Sequence, residues 1–353
     1  MRTILVTVGT SLLTNAAKAL CKKVEELNDA EIANYLRTAN PEEASAETNS
    51  LSRLLQSEDR IVFLHSDTEE GERCARLLEN HYEHQGYEVE TERIPDLNYK
   101  ESRFKMRGLR SLVSTLINRI QKEWDQGREV LINATGGFKA EIAYAVLVGL
   151  LFDLPVAYIH ERFRDIIEMP PVPIAWDYSL LADHEDFFDW IEKDLRTSAE
   201  VEERLKGRPA ELRMLLAEED EYIILSPAGE AFYQAFKRRM AEVESVQVSL
   251  SSKAWESYKQ MDEQEQNQVD KYLRRLKLPE WRRSNSEQPE NSDCLVAPRG
   301  HINLRLIYYE QSANELHVVE ILRHNKYERI FRNGVFRNRY TGFKPFEWRS
   351  EQR

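Results

Sequence analysis

The sequence predicts a multidomain chain with an N-terminal α/β domain, a small helical connector and a C-terminal α+β domain. Three observations carry that reading. At 353 residues the chain exceeds the roughly 100–200 residues of an ordinary domain. Through its first half, runs of β-branched residues alternate with amphipathic helical stretches, the pattern of a parallel sheet covered by helices. That alternation stops near residue 197 and, after residue 246, gives way to helices followed by a meander of strands.

Taken in order, TILVTV (3–8) reads as a buried strand that ends at Gly9-Thr10-Ser11 and runs into the helix LLTNAAKALCKKVEEL. Strands follow at RIVFLHS (60–66), YEVETERI (87–94), EVLINAT (129–135) and LPVAYIH (154–160), with helices expected around 68–84, 105–126 and 138–152. This is a Rossmann-like layering with right-handed crossovers. The polar, acidic stretch ANPEEASAETNS (39–50) is expected to be a surface loop inserted in the first crossover. Residues 198–246 read as a winged-helix-like connector: RPAELRMLLAEE as a helix, EYIILS as a strand, and PAGEAFYQAFKRRMAEV as a helix with Pro227 in its first turn. From residue 247 come a strand, a charged helical pair, a loop at 284–293 and three strand-like runs at 302–310, 315–324 and 331–340. The expected domains are therefore 1–197, 198–246 and 247–353.

Composition narrows the functional classes. Apolar residues make up 41% and charged residues 31%, and Gly (13) plus Pro (12) total only 25, a globular balance unlike that of disordered or collagenous chains. No apolar window approaches the ~18 residues of a membrane span, and no cleavage-like segment follows the start, so a cytoplasmic protein without a membrane partner is expected. Cys21, Cys74 and Cys294 stand far apart and outside any C-x-x-C pattern. That argues for three buried thiols, with no disulfide framework and no metal site. The net charge of −12 is unevenly spread: residues 247–353 carry 19 Lys+Arg against 15 Asp+Glu, or +4, leaving 30 against 46, or −16, for residues 1–246. A basic module on an acidic chain suits contact with nucleic-acid phosphates.

Neither G-x-G-x-x-G nor G-x-x-x-x-G-K-[ST] occurs after the first strand, which disfavours dinucleotide and P-loop sites. Instead, two turns at the carboxyl ends of strands lead into helices: Gly9-Thr10-Ser11 and Asn133-Ala134-Thr135-Gly136-Gly137-Phe138-Lys139. Ligands of open α/β sheets bind at such ends. Glycines there let backbone N–H groups approach an anion, and hydroxyls and a lysine add donors, a set suited to phosphates and adenine edges. The candidate ligand-binding residues are Gly9, Thr10, Ser11, Asn15, Asn133, Thr135, Gly136, Gly137 and Lys139. On physics alone they read equally as tight strand-to-helix turns with a solvated lysine. The pairing of V-G-T-S with N-A-T-G-G-x-K, and Glu141 just beyond, resembles the CARF domain of type III CRISPR systems over roughly residues 1–195. That resemblance implies a homodimer whose paired loops form one two-fold pocket for a cyclic oligoadenylate. Cyclic tetra-adenylate is the expected allosteric activator, with ring size left open.

The effector half lacks the Arg-x4-His spacing of HEPN ribonucleases, which falls only at Arg60/His65 and Arg76/His81 in the α/β region. It also lacks the clustered carboxylates of a metal nuclease. It offers instead Arg299, His301, Arg305, Arg323, His324, Lys326, Tyr327 and Arg329. Such groups suit metal-free RNA cleavage, in which the 2′-hydroxyl attacks the adjacent phosphate and needs a base, an acid and cations. The run NLRLIYYE followed by HVVEILRHNKYERI, preceded by a helical hairpin starting at Ala254–Tyr258, resembles the RelE/ParE toxin superfamily. That resemblance implies a ribosome-dependent mRNA interferase, with Arg305 at the scissile phosphate and Arg323, His324, Lys326 and Tyr327 in a terminal catalytic cluster. RelE toxins carry a lysine pair where this chain has DCLVAPRGH, so Arg299 or His301 would substitute and the general base stays open. Together the resemblances imply a cyclic-oligoadenylate-activated, metal-independent endoribonuclease of CRISPR defence acting on ribosome-bound mRNA. The alternatives are a CARF transcription regulator, disfavoured because acidic residues outnumber basic ones in the connector, and a ParE-like gyrase inhibitor.

Overall fold

The computed structural model describes residues 1–159, 165–300, 302–323, 327–332 and 334–348. Its strands are β1 (Arg2–Val8), β2 (Arg60–Ser66), β3 (Glu88–Ile94), β4 (Glu129–Asn133), β5 (Val156–Tyr158), β6 (Ile167–Met169), β7 (Arg196–Thr197), β8 (Leu216–Glu219), β9 (Tyr222–Leu225), β10 (Gln247–Leu250), β11 (Leu295–Ala297), β12 (Leu304–Ser312), β13 (Glu315–Arg323) and β14 (Lys344–Pro345). Its helices are α1 (Ser11–Ala19), α2 (Asp29–Thr38), α3 (Pro41–Ala44), α4 (Ala46–Leu54), α5 (Glu69–Glu83), α6 (Arg107–Asp125), α7 (Lys139–Leu151), α8 (Ser179–Asp183), α9 (Glu185–Lys193), α10 (Ser198–Leu205), α11 (Pro227–Glu242), α12 (Ser252–Lys259), α13 (Glu263–Leu276), α14 (Pro279–Asn285) and α15 (Tyr327–Arg332). No helix among the described residues is long and apolar enough to cross a membrane.

The chain forms two compact units, one of residues 1–174 and 189–235, the other of 175–188 and 236–353. In the first, a six-stranded sheet runs β3-β2-β1-β4-β5-β6, parallel except where β6 turns back on β5. Strand β1 is central and buried from Thr3 to Val8 because it is paired on both sides and covered on both faces, the environment that selects an unbroken β-branched run. The core joins Ile4, Val6 and Phe63 of the sheet to Leu12, Leu51 and Leu78 of the helices.

Residues 39–50 do not form a surface loop. Asn40 and Ser45 cap α3 and α4, and Leu51 and Leu54 bring α4 onto the core. Polarity misled here because Ser45, Glu47, Thr48 and Ser50 are all buried, the hydroxyls spent on caps and on neighbouring backbone. Cys21 also departs from expectation: it is exposed, at a left-handed residue (φ 52°) just past the end of α1, whereas Cys74 and Cys294 are buried.

Residues 198–235 belong to the first unit. There β7-β9-β8 make a small antiparallel sheet, and α6 holds it by ion pairs from Arg107 to Glu219 (2.7 Å) and from Arg110 to Glu230 (2.9 Å). The expected helix at 208–219 is a short 3₁₀ turn (Ala210–Leu215) followed by β8, because Leu216–Glu219 pair in register with β9.

In the second unit the sheet order is β11-β12-β13-β10-β14. Residues 331–340 add no third strand to the meander. The free side of β13 is taken by β10, which pairs with it in parallel from Gln247↔Glu315 to Leu250↔Val318. The chain leaving β13 instead forms α15, turns at Gly334 (φ 68°) and lays Val335 into a buried cluster with Cys294, Val296, Ile307, Val319 and Leu322. Trp281, fully buried, donates to Asp183 (2.9 Å), which anchors the segment of α8 in this unit.

One buried network stabilises the amino-terminal ends of the first sheet. Glu123, 0% exposed, accepts from Thr3 (2.7 Å), Arg60 (2.9 Å) and Arg128 (2.5 Å) and pairs with Arg119 (3.0 Å). Burial pushes its carboxyl up, and the bonds from Arg128 and Thr3 with the charges of Arg60 and Arg119 bring it below the ordinary value. Removing one member of such a set leaves buried charge unpaired, so Glu123→Ala is expected to lose about 3–5 kcal/mol of unfolding free energy. Urea unfolding followed by circular dichroism checks this; a loss under about 1 kcal/mol, the scale of an exposed pair, would show the network to be dispensable.

Candidate ligand site at two strand-to-helix turns

Because β1 and β4 are parallel neighbours, their carboxyl-end turns open side by side. They approach so closely that only glycine fits. A Cβ on Gly9 would stand 2.9 Å from the Gly137 nitrogen, and one on Gly136 would stand 2.4 Å from the Thr7 carbonyl oxygen. Gly137 also has φ 92°, in the region that L side chains avoid. The Thr7 hydroxyl, donating to the Gly136 carbonyl (2.6 Å), ties the two turns together.

Several residues expected to face a ligand are engaged within the protein. The Ser11 hydroxyl accepts from Ala46 N–H (3.0 Å), and the Asn15 amide donates to the Glu43 carbonyl (3.0 Å). Asn133, buried, donates to Ser50 (2.7 Å), while Thr135 donates to Asn133 (2.7 Å) and accepts from Ile159 N–H (3.2 Å). These four bind α3, α4 and β5 to the turns. Thr10 and Lys139 are different. Thr10 begins α1 without a side-chain capping bond, and Lys139 is exposed in the first turn of α7, whose N-cap Phe138 supplies no side-chain acceptor. The N-termini of α1 and α7, with Thr10 and Lys139 in them, thus stand at the carboxyl ends of two paired strands. Beside them Phe138, 46% exposed, packs against Tyr99 (4.8 Å between ring centres) and Phe104 (5.9 Å), an aromatic surface suited to the faces of nucleobases.

Two carboxyls lie beneath the glycines: Glu141, already marked by the second motif, and Glu47, which no motif marks. Glu47, 0% exposed, accepts the Gly9 N–H at 2.7 Å through Oε1, while its Oε2 has no hydrogen-bond partner among the described residues. Burial raises its pKa, against the opposing bonds from the Gly9 and Glu47 backbone and from Ser45. Glu141 lies under Gly137, and burial pushes its carboxyl up to about 7 despite a bond from the Phe138 backbone. Burial thus shifts both groups toward the neutral form. The N-cap serine at Ser45 with Leu51 and Leu54 spaced for one helix face signals α4; nothing in the sequence signals that Glu47 would turn inward.

In the second unit, Arg305 is 6% exposed. Its guanidinium donates to Glu287 (3.1 Å) and to the Gly300 carbonyl, so phosphate contact requires it to leave these partners. Arg323 is exposed and clamps Glu265 through two bonds (2.7 and 2.6 Å). Arg299, also exposed, donates to the Ser286 carbonyl. His301, His324 and Lys326 lie outside the described residues, and Tyr327 begins α15. Among the described residues no group of three or more His, Cys, Asp or Glu could hold a metal ion.

The raised pKa of Glu141 has a thermodynamic sign. Below pH 4.5 the carboxyl is protonated whether the chain is folded or not. As pH rises through about 7, the folded protein loses stability relative to an unfolded chain that ionises at the ordinary 4.5, by about 3 kcal/mol in all. Glu141→Gln removes that loss. The variant is expected to match the parent at pH 4.5 and to exceed it by up to about 3 kcal/mol above pH 8. Parallel pH profiles of unfolding free energy for the two proteins would refute the assignment.

Residues 42–172 match the model of a family described as CRISPR-associated protein (Cas_APE2256). Among solved structures, the chain is similar to Can2 from Sulfobacillus thermosulfidooxidans, solved in complex with cyclic tetra-adenylate, at 11% identity over 94% of this chain and 84% of that one, with TM-score 0.25. It is similar to protein VC1899 from Vibrio cholerae at 10% identity over 90% of this chain and 79% of that one, with TM-score 0.30. At such scores neither likeness carries an argument. The family match does bear on the site: the stretch that matches a CRISPR-associated family takes in Glu47, the whole second turn from Asn133 to Lys139, and Glu141.

Proposed function

We propose that the first unit binds a cyclic oligoadenylate and that the second is an endoribonuclease which this ligand activates, in type III CRISPR defence. The observation that carries the reading is the junction of the two glycine turns, where the helix starts that hold Thr10 and Lys139 come together next to the exposed ring of Phe138. That arrangement offers N–H donors and positive potential to phosphates and flat apolar faces to bases. The CRISPR-associated family match over residues 42–172 supports the same assignment. A ring of four adenylates has two-fold symmetry, so it is best held by two copies of the site on the axis of a homodimer.

For the second unit, the ordered resemblance to RelE-type toxins and the excess of cations support metal-independent cleavage of ribosome-bound mRNA. The groups that serve it on this reading are Arg299, His301, Arg305, Arg323, His324, Lys326 and Tyr327. Incubating the protein with programmed ribosomes, with and without cyclic tetra-adenylate, tests the whole reading. Ring-dependent mRNA cuts that persist in the presence of EDTA, with ribosome integrity checked separately, are the expected result. Ring binding without cuts would refute the ribonuclease.

For the sensor, Thr10→Ala combined with Lys139→Ala is expected to weaken ring binding by about 1.5–3 kcal/mol, roughly 10- to 150-fold in Kd, with folding unchanged because neither side chain caps a helix or packs in the core. Calorimetry should give one ring per two chains. Unchanged affinity in the double variant, or one ring per chain, would remove the site or its symmetry respectively.

A further inference from the structure

The resemblance to RelE toxins leaves the general base of the second unit without a residue, because the expected lysine pair is replaced. The structure offers a different pair. A cavity of about 340 Å³, within the size range of ligand sites, is lined by Lys253, Glu320, Arg339 and Tyr340 together with Ser251 and Ser252. Glu320 lies on β13 and is 2% exposed. Lys253, in the first turn of α12, forms an ion pair with its carboxylate, and Tyr340 donates its phenol proton to it. Both bonds fall on the same oxygen, Oε1. Oε2 has no partner among the described residues, although the residue lines the cavity. The Lys253 ammonium also stands 5.7 Å from the centre of the Tyr340 ring. Ser251 fixes the start of α12 from below, donating to the Val319 carbonyl and accepting from Ala254 N–H.

We propose that this cavity takes the scissile phosphodiester of RNA, with Glu320 as general base and Tyr340 as general acid. The assignment rests on the ribonuclease reading above, and it moves the proton transfers from the residues that the resemblance implies to Glu320 and Tyr340, which line this cavity. Glu320 Oε2 accepts the proton of the 2′-hydroxyl; the 2′-oxygen forms a bond to phosphorus as the bond from phosphorus to the 5′-oxygen breaks. Tyr340 gives its proton to the departing 5′-oxygen. The protonated Glu320 carboxyl, turned so that its proton-bearing oxygen meets Tyr340, then returns a proton to the Tyr340 oxygen. The products are a 2′,3′-cyclic phosphate and a 5′-hydroxyl, and both residues regain their starting states. Lys253 and Arg339 hold the non-bridging oxygens, where negative charge develops.

The electrostatics suit this sequence of events. Burial and the bond to the Glu320 carboxylate raise the Tyr340 pKa, so the phenol is protonated before the reaction. Once Glu320 has taken the 2′ proton, the negative charge that held the phenol proton is gone, and Tyr340 becomes a stronger acid at the step that needs one. Lys253 offsets the charge of a carboxylate that is otherwise costly to bury.

The test uses the full chain with cyclic tetra-adenylate and programmed ribosomes, reading cleavage rate, product ends and ring affinity. Tyr340→Phe and Glu320→Gln are each expected to slow cleavage by about 10²–10⁴, with ring affinity unchanged and cyclic phosphate ends on the parental products. Lys253→Met, altering a side chain that is half-exposed, is expected to slow it by about 10²–10³. It decides the matter should a buried variant fail to fold. If the parent cuts and Tyr340→Phe or Lys253→Met cuts at the parental rate, this site is refuted and the ribonuclease reading stands. If the parent binds the ring and cuts nothing, both fall.

Discussion

The hydrogen bond from the Gly9 backbone to the buried Glu47 carboxyl is the constraint on which the candidate ligand site depends. It joins three parts of the chain that are distant in sequence: the end of β1, the helix α4 and, through the glycines packed on the same carboxyl, the turn after β4. A buried carboxyl with one unpartnered oxygen is costly, so it is held only where the surrounding structure fixes it in place. The surrounding bonds do that. Ser11 and Asn15 of α1 hold the chain at 43–46, and Asn133 holds Ser50. The polar residues of these turns mostly build the site, while Thr10 makes no capping bond and Lys139 is exposed.

Glu47 and Glu141 also bear on how a markedly acidic region could attract an anion. Residues 1–246 carry a formal charge of −16 (30 − 46), and ionised carboxyls directly beneath a phosphate would oppose binding. Burial raises both pKa values, which reduces that opposing charge where it matters most. The remaining acids are handled differently. Glu88, Glu90 and Glu123 are paired with Arg60, and Glu90 and Glu123 also with Arg119. Such compensation is local, so net charge alone says little about the potential at the turns.

How much of this was legible in the sequence depends on what kind of interaction decides each element. Strands β1 and β2 could be read almost to the residue, because a strand buried on both faces demands an unbroken apolar run. The glycine turns were legible for the same local reason: a close approach of two backbones leaves its mark as Gly-Gly. Residues 39–50 were not, because their side chains are polar yet buried, and the sequence does not show which backbone groups they satisfy. Nor was the path of residues 331–340. Its alternation suits a strand, but the edge it would need is occupied by β10, a pairing decided far away in the chain. Glu320 and Tyr340 went unread because each is unremarkable in its own segment and gains meaning only from the fold that brings them together.

The position of β10 in its sheet has a consequence for the order in which a growing chain can fold. Every strand of the six-stranded sheet has been synthesised by Met169, and the rest of the first unit by residue 235. Strand β10 follows soon after, but its partners are Glu315–Val318 on one side and Lys344–Pro345 on the other, so its first neighbour begins 65 residues after it (315 − 250) and its second 94 (344 − 250). Long-range pairings of this kind form slowly. Vectorial synthesis therefore completes the first unit while the second sheet is still unfinished. On the proposed function, that timing places the means of control ahead of the means of damage during each chain's own manufacture.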